Sequence, residues 1–503
     1  MVSYILRTCI GKINCLLFLK EMIMENDILK NKKKISVGYA AFVVASVFVF
    51  VLGGSLIFGG AIETMFILAW LFTVPLIMKI GYSYKEVQNF GWKVVMESLE
   101  ANFIILVVGT LIASFIASGT VPYIIVLGLK VISPQIFLLS ALLICTMTSL
   151  ATGTSWGTIG TAGIAMMGIG NALGVPMGMT AGAVISGAAF GDKMSPLSDT
   201  TNLAAAISGT PLMTHIKHMT VTTLPAYIVS AIIFTFMGFF TIDTTSFDPA
   251  ITTNTINGLN DIFNLGILEL IPIILVIAML IKKVPPISAM LGGTFLAMFM
   301  AMIRQGYSLE KLLGFLYDGF SIETGTAYID KLLNRGGIMS MISSFLIVFV
   351  AAAITGMLSE SGILSTLVSS LAKKCSGSRT RTIGTTLSIG YLTNMIGSSM
   401  LLAIIVPGAL MKPVYKENNL APENLSRTLE DSGTLGAWLI PWNANAIFGA
   451  QTLMGIGATP YIFIPYCLLS IISPIFSMIS AITGIGMKPL EKEEVEILEP
   501  SKN

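Results

Sequence analysis

The chain has 503 residues, 54% of them apolar and only 11% charged, with a formal charge of +2 and a mean hydropathy of +0.83. A soluble protein carries about 25% charged residues, so a soluble enzyme, a nucleic-acid binder and a disordered chain are all excluded. The remaining solvent is the lipid bilayer.

Residues 1–34 are expected to form a dispensable cytoplasmic extension. The apolar run 15–19 is too short to span a bilayer. It has basic neighbours but no small-residue cleavage site, as a signal peptide would. Met22 and Met24 stand just before a more ordinary start, MENDILKNKKK. The five cysteines contain no CxxC pair and read as small apolar filler. With His215 and His218 as the two histidines, a multi-histidine metal site is excluded.

A spanning helix needs about 20 mostly apolar residues. Runs that meet this are 35–58, 61–80, 101–118, 221–240, 265–281, 286–303, 338–358 and 460–484. Four more apolar stretches, 136–170, 179–209, 383–411 and 428–453, are interrupted by Gly, Pro and polar residues. Lys and Arg mark the cytoplasmic side. Lys30, Lys32, Lys33 and Lys34 place the first span's start inside, as do Lys79, Lys85 and Lys93 after two crossings. The loop 241–264 holds Asp243, Asp248 and Asp261 and no Lys or Arg, so it is expected outside. Lys282 and Lys283 return the chain inside, and Lys373, Lys374, Arg379 and Arg381 do so again.

Parity then allows one net crossing between 119 and 220, where two interrupted stretches lie. One re-entrant hairpin and one broken crossing satisfy it, and the second half repeats the count. The expectation is an all-α polytopic membrane protein of inverted repeats. Each repeat has about five crossings, with two re-entrant hairpins and two broken helices in total and both termini cytoplasmic. Repeat one covers 35–240, an external linker 241–264, repeat two 265–485, and a cytoplasmic tail 486–503. Short matches support the doubling. LIASFIASG at 111–119 resembles ITGMLSESG at 354–362, 243 residues on, and Gly153-Thr154-Ser155 resembles Gly397-Ser398-Ser399, 244 residues on. Inverted repeats with broken helices are the architecture of secondary transporters.

The densest polar cluster is FGDKMSPLSDTTNLAAA at 190–206. Pro196 breaks the helix there, and broken backbone at this depth lines a cavity or is buried in protein. Asp192, Ser195, Asp199, Thr200, Thr201 and Asn202 supply hard oxygen ligands of the kind a small alkali cation takes. An ordinary interhelical loop, or an Asp192–Lys193 ion pair, are the competing readings. Asp199 has no adjacent base and is the preferred carboxylate. Protonation and cation binding exclude each other at one such group. If only a loaded site crosses, the two species are exchanged.

A second cluster, ATGTSWGTIGTAG at 151–163, reads as a hairpin tip, with Thr154 and Ser155 among its hydroxyls and half-helix N–H groups exposed. Small-residue packing is its alternative. The second-half counterparts are Ser398 and Ser399, then Asp431, Asn443 and Asn445. Glu430 and Asp431 also suit a helix start. His215 and His218 suit a pH sensor or a membrane boundary.

Together, ATGTSWGTIGT, SGAAFGDKMSPLSDTTNLAAA, GTPLMTHIKHM and LEDSGTLGAWLIPWNANA resemble the NhaC family of sodium/proton antiporters, over about residues 36–485. The resemblance implies a bacterial cytoplasmic-membrane transporter that exchanges internal sodium for external protons. It implies no cofactor beyond the transported sodium, and a homodimer would be normal for the wider ion-transporter superfamily. The ion site falls on Asp192, Ser195, Asp199, Thr200 and Asn202, with Asp199, Thr200 and Asn202 as sodium ligands. Family members include transporters of malate, lactate or amino acids. A small organic anion or an amino acid is therefore the alternative substrate, and an anion would be received by Lys193 and the hairpin tips.

Overall fold

The computed structural model describes residues 35–241, 249–325, 329–330, 333–372, 378–455 and 458–490. The expected N-terminal extension, most of the tail 486–503, and Asp243 and Asp248 of the expected external linker lie outside the described residues.

Among the described residues the chain is helical, with no strands beyond two isolated bridges, Phe320–Arg335 and Leu420–Pro489. A helix is what an apolar run becomes in lipid, because it satisfies its own backbone polar groups. In chain order the helices of the first half are α1 (Val37–Leu56), α2 (Ile62–Met78), α3 (Tyr84–Glu97), α4 (Leu99–Ala117), α5 (Thr120–Val131), α6 (Phe137–Thr152), α7 (Ser155–Thr158), α8 (Ile164–Ala172), α9 (Met177–Met194), α10 (Asp199–Ser208) and α11 (Leu212–Thr241). Those of the second half are α12 (Pro249–Ile262), α13 (Ile271–Ile281), α14 (Pro286–Gln305), α15 (Leu309–Asp318), α16 (Ile342–Glu360), α17 (Ile363–Ala372), α18 (Arg379–Gly397), α19 (Leu402–Glu417), α20 (Pro422–Leu429), α21 (Ala444–Met454) and α22 (Leu468–Thr483).

Among the described residues, five helices are long and apolar enough to cross a membrane, and up to eight if each bent pair counts as one span. Their outer faces carry exposed Phe42, Val49, Phe240 and Phe295, which suits lipid as solvent. This is a multi-pass membrane protein. Two segments between the apolar runs are helical as well. The segment 81–98 forms α3, opened by a capping box in which Ser83 and Glu86 bond each other's backbone N–H. The connection 304–337 contains α15, which buries Leu312 and Phe315 on one face.

Each of the four interrupted stretches is two helical segments with a break between them. The first breaks at 153–154, the second at 195–198, the third at 398–401 and the fourth at 440–443. Gly and Pro chemistry places them. Gly153 is left-handed at φ 71°, and a Cβ there would lie 2.6 Å from the Leu197 Cβ. Thr154 then caps α7 by accepting from the Gly157 N–H. Ser398 holds φ 45° without being glycine, and Asn443 caps α21 by accepting from the Asn445 N–H.

The lengths recur as well as the breaks. Leu99–Ala117 and Ile342–Glu360 are both 19 residues long, and each is followed by a left-handed glycine, Gly119 and Gly362.

Candidate functional site

The first and second breaks touch. Besides the Gly153–Leu197 contact, the Ser195 hydroxyl donates to the Leu150 carbonyl at 3.0 Å. Thr201 reaches back to the end of α9, donating to the Lys193 carbonyl at 2.9 Å and the Asp192 carbonyl at 3.3 Å. Carbonyls freed by the break thus find local partners, as buried backbone requires.

Asp192 sits at this junction and is buried at 5% exposure. Its Oδ2 accepts from the Ser155 hydroxyl at 2.6 Å, and the Ser155 N–H and the Ser198 hydroxyl face the same carboxyl. Ser155 opens α7 and Ser198 precedes α10, so the carboxyl lies among the ends of broken helices. Helix N-termini favour negative charge.

Asp199, the carboxylate preferred on sequence, is exposed. It is the first residue of α10, directly after the break at 195–198, whereas Asp192 lies before the break on α9, and the two carboxylates interact electrostatically. Asn202 is exposed too, and its amide donates to the Ser198 carbonyl at 2.7 Å and the Pro196 carbonyl at 3.0 Å. Thr200 is buried and its hydroxyl pairs with that of Ser198 at 3.0 Å. Asp199 and Asn202 are three residues apart and share the exposed face of α10, while Thr200 points into the bundle.

Lys193 does not pair with its neighbour Asp192. It crosses to the second half, where its Nζ donates to Asp431 Oδ1. Both side chains are fully buried. Asp431 also accepts from Thr222 at 3.0 Å, Ser473 at 2.6 Å and Ser477 at 2.7 Å. One cation and three hydroxyls occupy its two oxygens. Asp431 is therefore a buried ion-pair anchor joining α9, α11 and α22, rather than a helix-start acid. Lys193, in turn, is not free to receive an anion.

Glu430 was given no role at the site on sequence. A π-turn at Glu430–Thr434 directs it inward, fully buried, and neither of its carboxyl oxygens has a hydrogen-bond partner. Lys193, Asp192 and Asp431 act on it electrostatically and the Thr434 hydroxyl faces it. π-turns are rare and frequent at functional sites. The one signal in the sequence was an acidic pair inside LEDSGTLGAWL.

The halves also meet through amides. Trp156 stacks on Phe448 with ring centroids 4.2 Å apart, and its Nε1 donates to Asn445 Oδ1 at 2.6 Å. Asn445 donates to Asn443 Oδ1 at 3.0 Å, and Asn443 donates to Asn394 Oδ1 at 3.1 Å. Asn394 ends the series on the Ser432 carbonyl at 2.9 Å and the Gly433 carbonyl at 2.8 Å. The third and fourth breaks touch where the Ala444 N–H donates to the Ser398 carbonyl at 3.4 Å. Ser399 is half-buried, and its hydroxyl accepts from the Leu402 N–H at 3.5 Å. His215 and His218 are buried, with His215 Nδ1 2.8 Å from Ser426 Oγ and His218 Nε2 3.2 Å from Asn424 Oδ1. They join α11 to α20.

Residues 187–485 match the model of the Na+/H+ antiporter family. Among similar proteins is a malate-2H(+)/Na(+)-lactate antiporter from Bacillus subtilis, 37% identical over 84% of this chain and 89% of its own length. A Na(+)/H(+) antiporter NhaC from Alkalihalophilus pseudofirmus is 37% identical over 85% of this chain and 93% of its own. An arginine/ornithine antiporter ArcD from Halobacterium salinarum is 31% identical over 92% of this chain and 95% of its own. The matched span holds Asp192, Lys193, Glu430 and Asp431, the charged groups just described. The chain belongs to the NhaC-type Na+/H+ antiporter family.

Proposed function

We propose that this protein exchanges sodium for protons across the cytoplasmic membrane by competition at the Asp192 carboxyl. The observation that carries this reading is a buried carboxylate, faced by two serine hydroxyls, at the contact of two helix breaks. A proton on Asp192 turns the carboxyl into a hydrogen-bond donor and removes its charge. A sodium ion needs that charge, with the Ser155 and Ser198 hydroxyls turned to offer lone pairs. One site then holds either guest and not both. Asp199, exposed and close by, attracts cations toward Asp192.

The Lys193–Asp431 pair holds the two halves in register around this site. In the proposed architecture the halves are inverted repeats, the first and third interrupted stretches are re-entrant hairpins, and both termini are cytoplasmic. The recurring helix lengths, the left-handed glycines and the paired order of breaks support it.

The second reading is a transporter that couples sodium or protons to a small organic solute. The printed activities of the Bacillus malate/lactate and Halobacterium arginine/ornithine relatives favour it. Purified protein in liposomes with an internal pH dye separates the two. Sodium alone, added outside, is expected to move protons. A proton signal that requires malate, lactate or an amino acid would establish the second reading.

A further inference from the structure

An organic solute with a carboxylate needs a cationic or N–H-rich receptor. Lys193 is committed to Asp431. Arg427 is fully buried, its two terminal nitrogens are bonded to the Gly486 carbonyl, the Ser480 hydroxyl and the Met487 sulfur, its Nε has no partner, and it does not line the cavity described below. Arg335 differs from both.

The chain around Arg335 is pressed into the bundle by two glycines. Gly336 and Gly337 take φ of 86° and 82°, and the Gly337 N–H donates at 2.7 Å to the Gly109 carbonyl in the middle of α4. A Cβ on Gly336 would lie 2.7 Å from the Ala113 nitrogen. This close approach carries the guanidinium to the end of α21. There its Nη2 donates to the Leu453 carbonyl at 3.0 Å and the Thr452 carbonyl at 3.3 Å. Among the described residues no carboxylate pairs with Arg335, and its other nitrogens make no hydrogen bond.

In front of it is a cavity of about 220 Å³, lined by Arg335, Asn334, Asn171, Ser340, Gln451 and Met177 among others. Drug-sized pockets run from about 300 Å³ upward, so this one is sized for a smaller solute. Gln451 is 5% exposed, and its Oε1 acceptor has no partner. A planar guanidinium with free N–H groups matches a carboxylate. An orphaned buried acceptor matches a donor beside that carboxylate.

We propose that this cavity seats a small carboxylate that carries a neighbouring hydroxyl or ammonium group. Arg335 takes the carboxylate and Gln451 Oε1 accepts from the second group. The seat is separate from the Asp192 junction but shares a helix with it. α21 begins at Ala444, beside the Asn445 that Trp156 holds, and its 11 residues end where Arg335 caps it. That length is about 16 Å.

The test is equilibrium binding of radiolabelled L-lactate, L-malate, L-alanine and L-ornithine to the detergent-purified full chain without sodium, with propionate as the probe that lacks the second group. Saturable binding of at least one hydroxy or amino acid, tighter than propionate, is expected. Arg335→Lys keeps the charge and loses the fork, and is expected to weaken binding at least about tenfold. Met177→Trp fills the cavity while leaving Arg335 on α21, and is expected to weaken it as much. It gives an answer even if Arg335→Lys misfolds. Absence of saturable binding by all the hydroxy and amino acids, binding no tighter than propionate, or wild-type affinity in either variant overturns the proposal. None of these outcomes touches the cation reading, which stands or falls on sodium and Asp192.

Discussion

Asp192→Asn is expected to reduce sodium-driven proton movement in liposomes to background while the protein still inserts and purifies. Asn keeps the shape and removes both the charge and the titration. Truncating one partner of a buried charge interaction costs about 2–5 kcal/mol, a loss of about 30-fold to several thousandfold in affinity. Asp199→Asn is the matched control. An exposed carboxylate acts through a screened field, so that variant is expected to slow exchange by no more than about fivefold, with an effect that shrinks as salt rises. Exchange retained in Asp192→Asn and lost in Asp199→Asn would return the chemistry to the exposed carboxylate.

The second large effect concerns the buried pair. Lys193→Ala strands Asp431 with three hydroxyls and no cation, and breaking a buried pair from one side costs about 3–5 kcal/mol. A much lower thermal midpoint in detergent is expected, and Asp431→Ala should behave alike. Lys193→Met combined with Asp431→Leu removes both charges and is expected to recover most of the loss, because well-packed apolar pairs often replace buried ion pairs without cost. The adjacent acid should behave oppositely. The Glu430 carboxyl oxygens make no geometric hydrogen bond, so replacing the side chain strands no bonded partner. Glu430→Gln is therefore expected to change stability by less than about 1 kcal/mol. Single charge-removing variants of Lys193 or Asp431 as stable as the wild type would contradict the pairing.

Much of this was legible in the sequence because it depends on local chemistry. Apolar runs of sufficient length became helices, and three of the four interrupted stretches broke at Gly153, Pro196 and Pro441, the fourth breaking at Ser398, which is neither glycine nor proline. Gly and Pro act on their own backbone, so neighbours in the chain suffice to read them. The partner of Lys193 was not legible. Asp431 lies 238 residues away, and only the packing of α9 against the second half selects it over the adjacent Asp192. The choice between Asp192 and Asp199 turned on helical phase. Both flank one proline-containing break, and a few residues of turn decide which carboxyl faces inward. Glu430 was missed because a π-turn shifts side-chain phase by an amount that a 3.6-residue period does not anticipate. His215 and His218 looked like boundary residues because Lys217 lies between them, yet both are buried against α20.

Direct binding of radioactive sodium to the purified protein, followed across pH, tests the central claim most directly. If one proton and one sodium ion exclude each other at Asp192, the apparent sodium affinity falls about tenfold for each unit of acidification below the point where the carboxyl takes up its proton, and Asp192→Asn binds no sodium at any pH. Sodium affinity that stays constant as the solution is acidified, or that survives in Asp192→Asn, would contradict it.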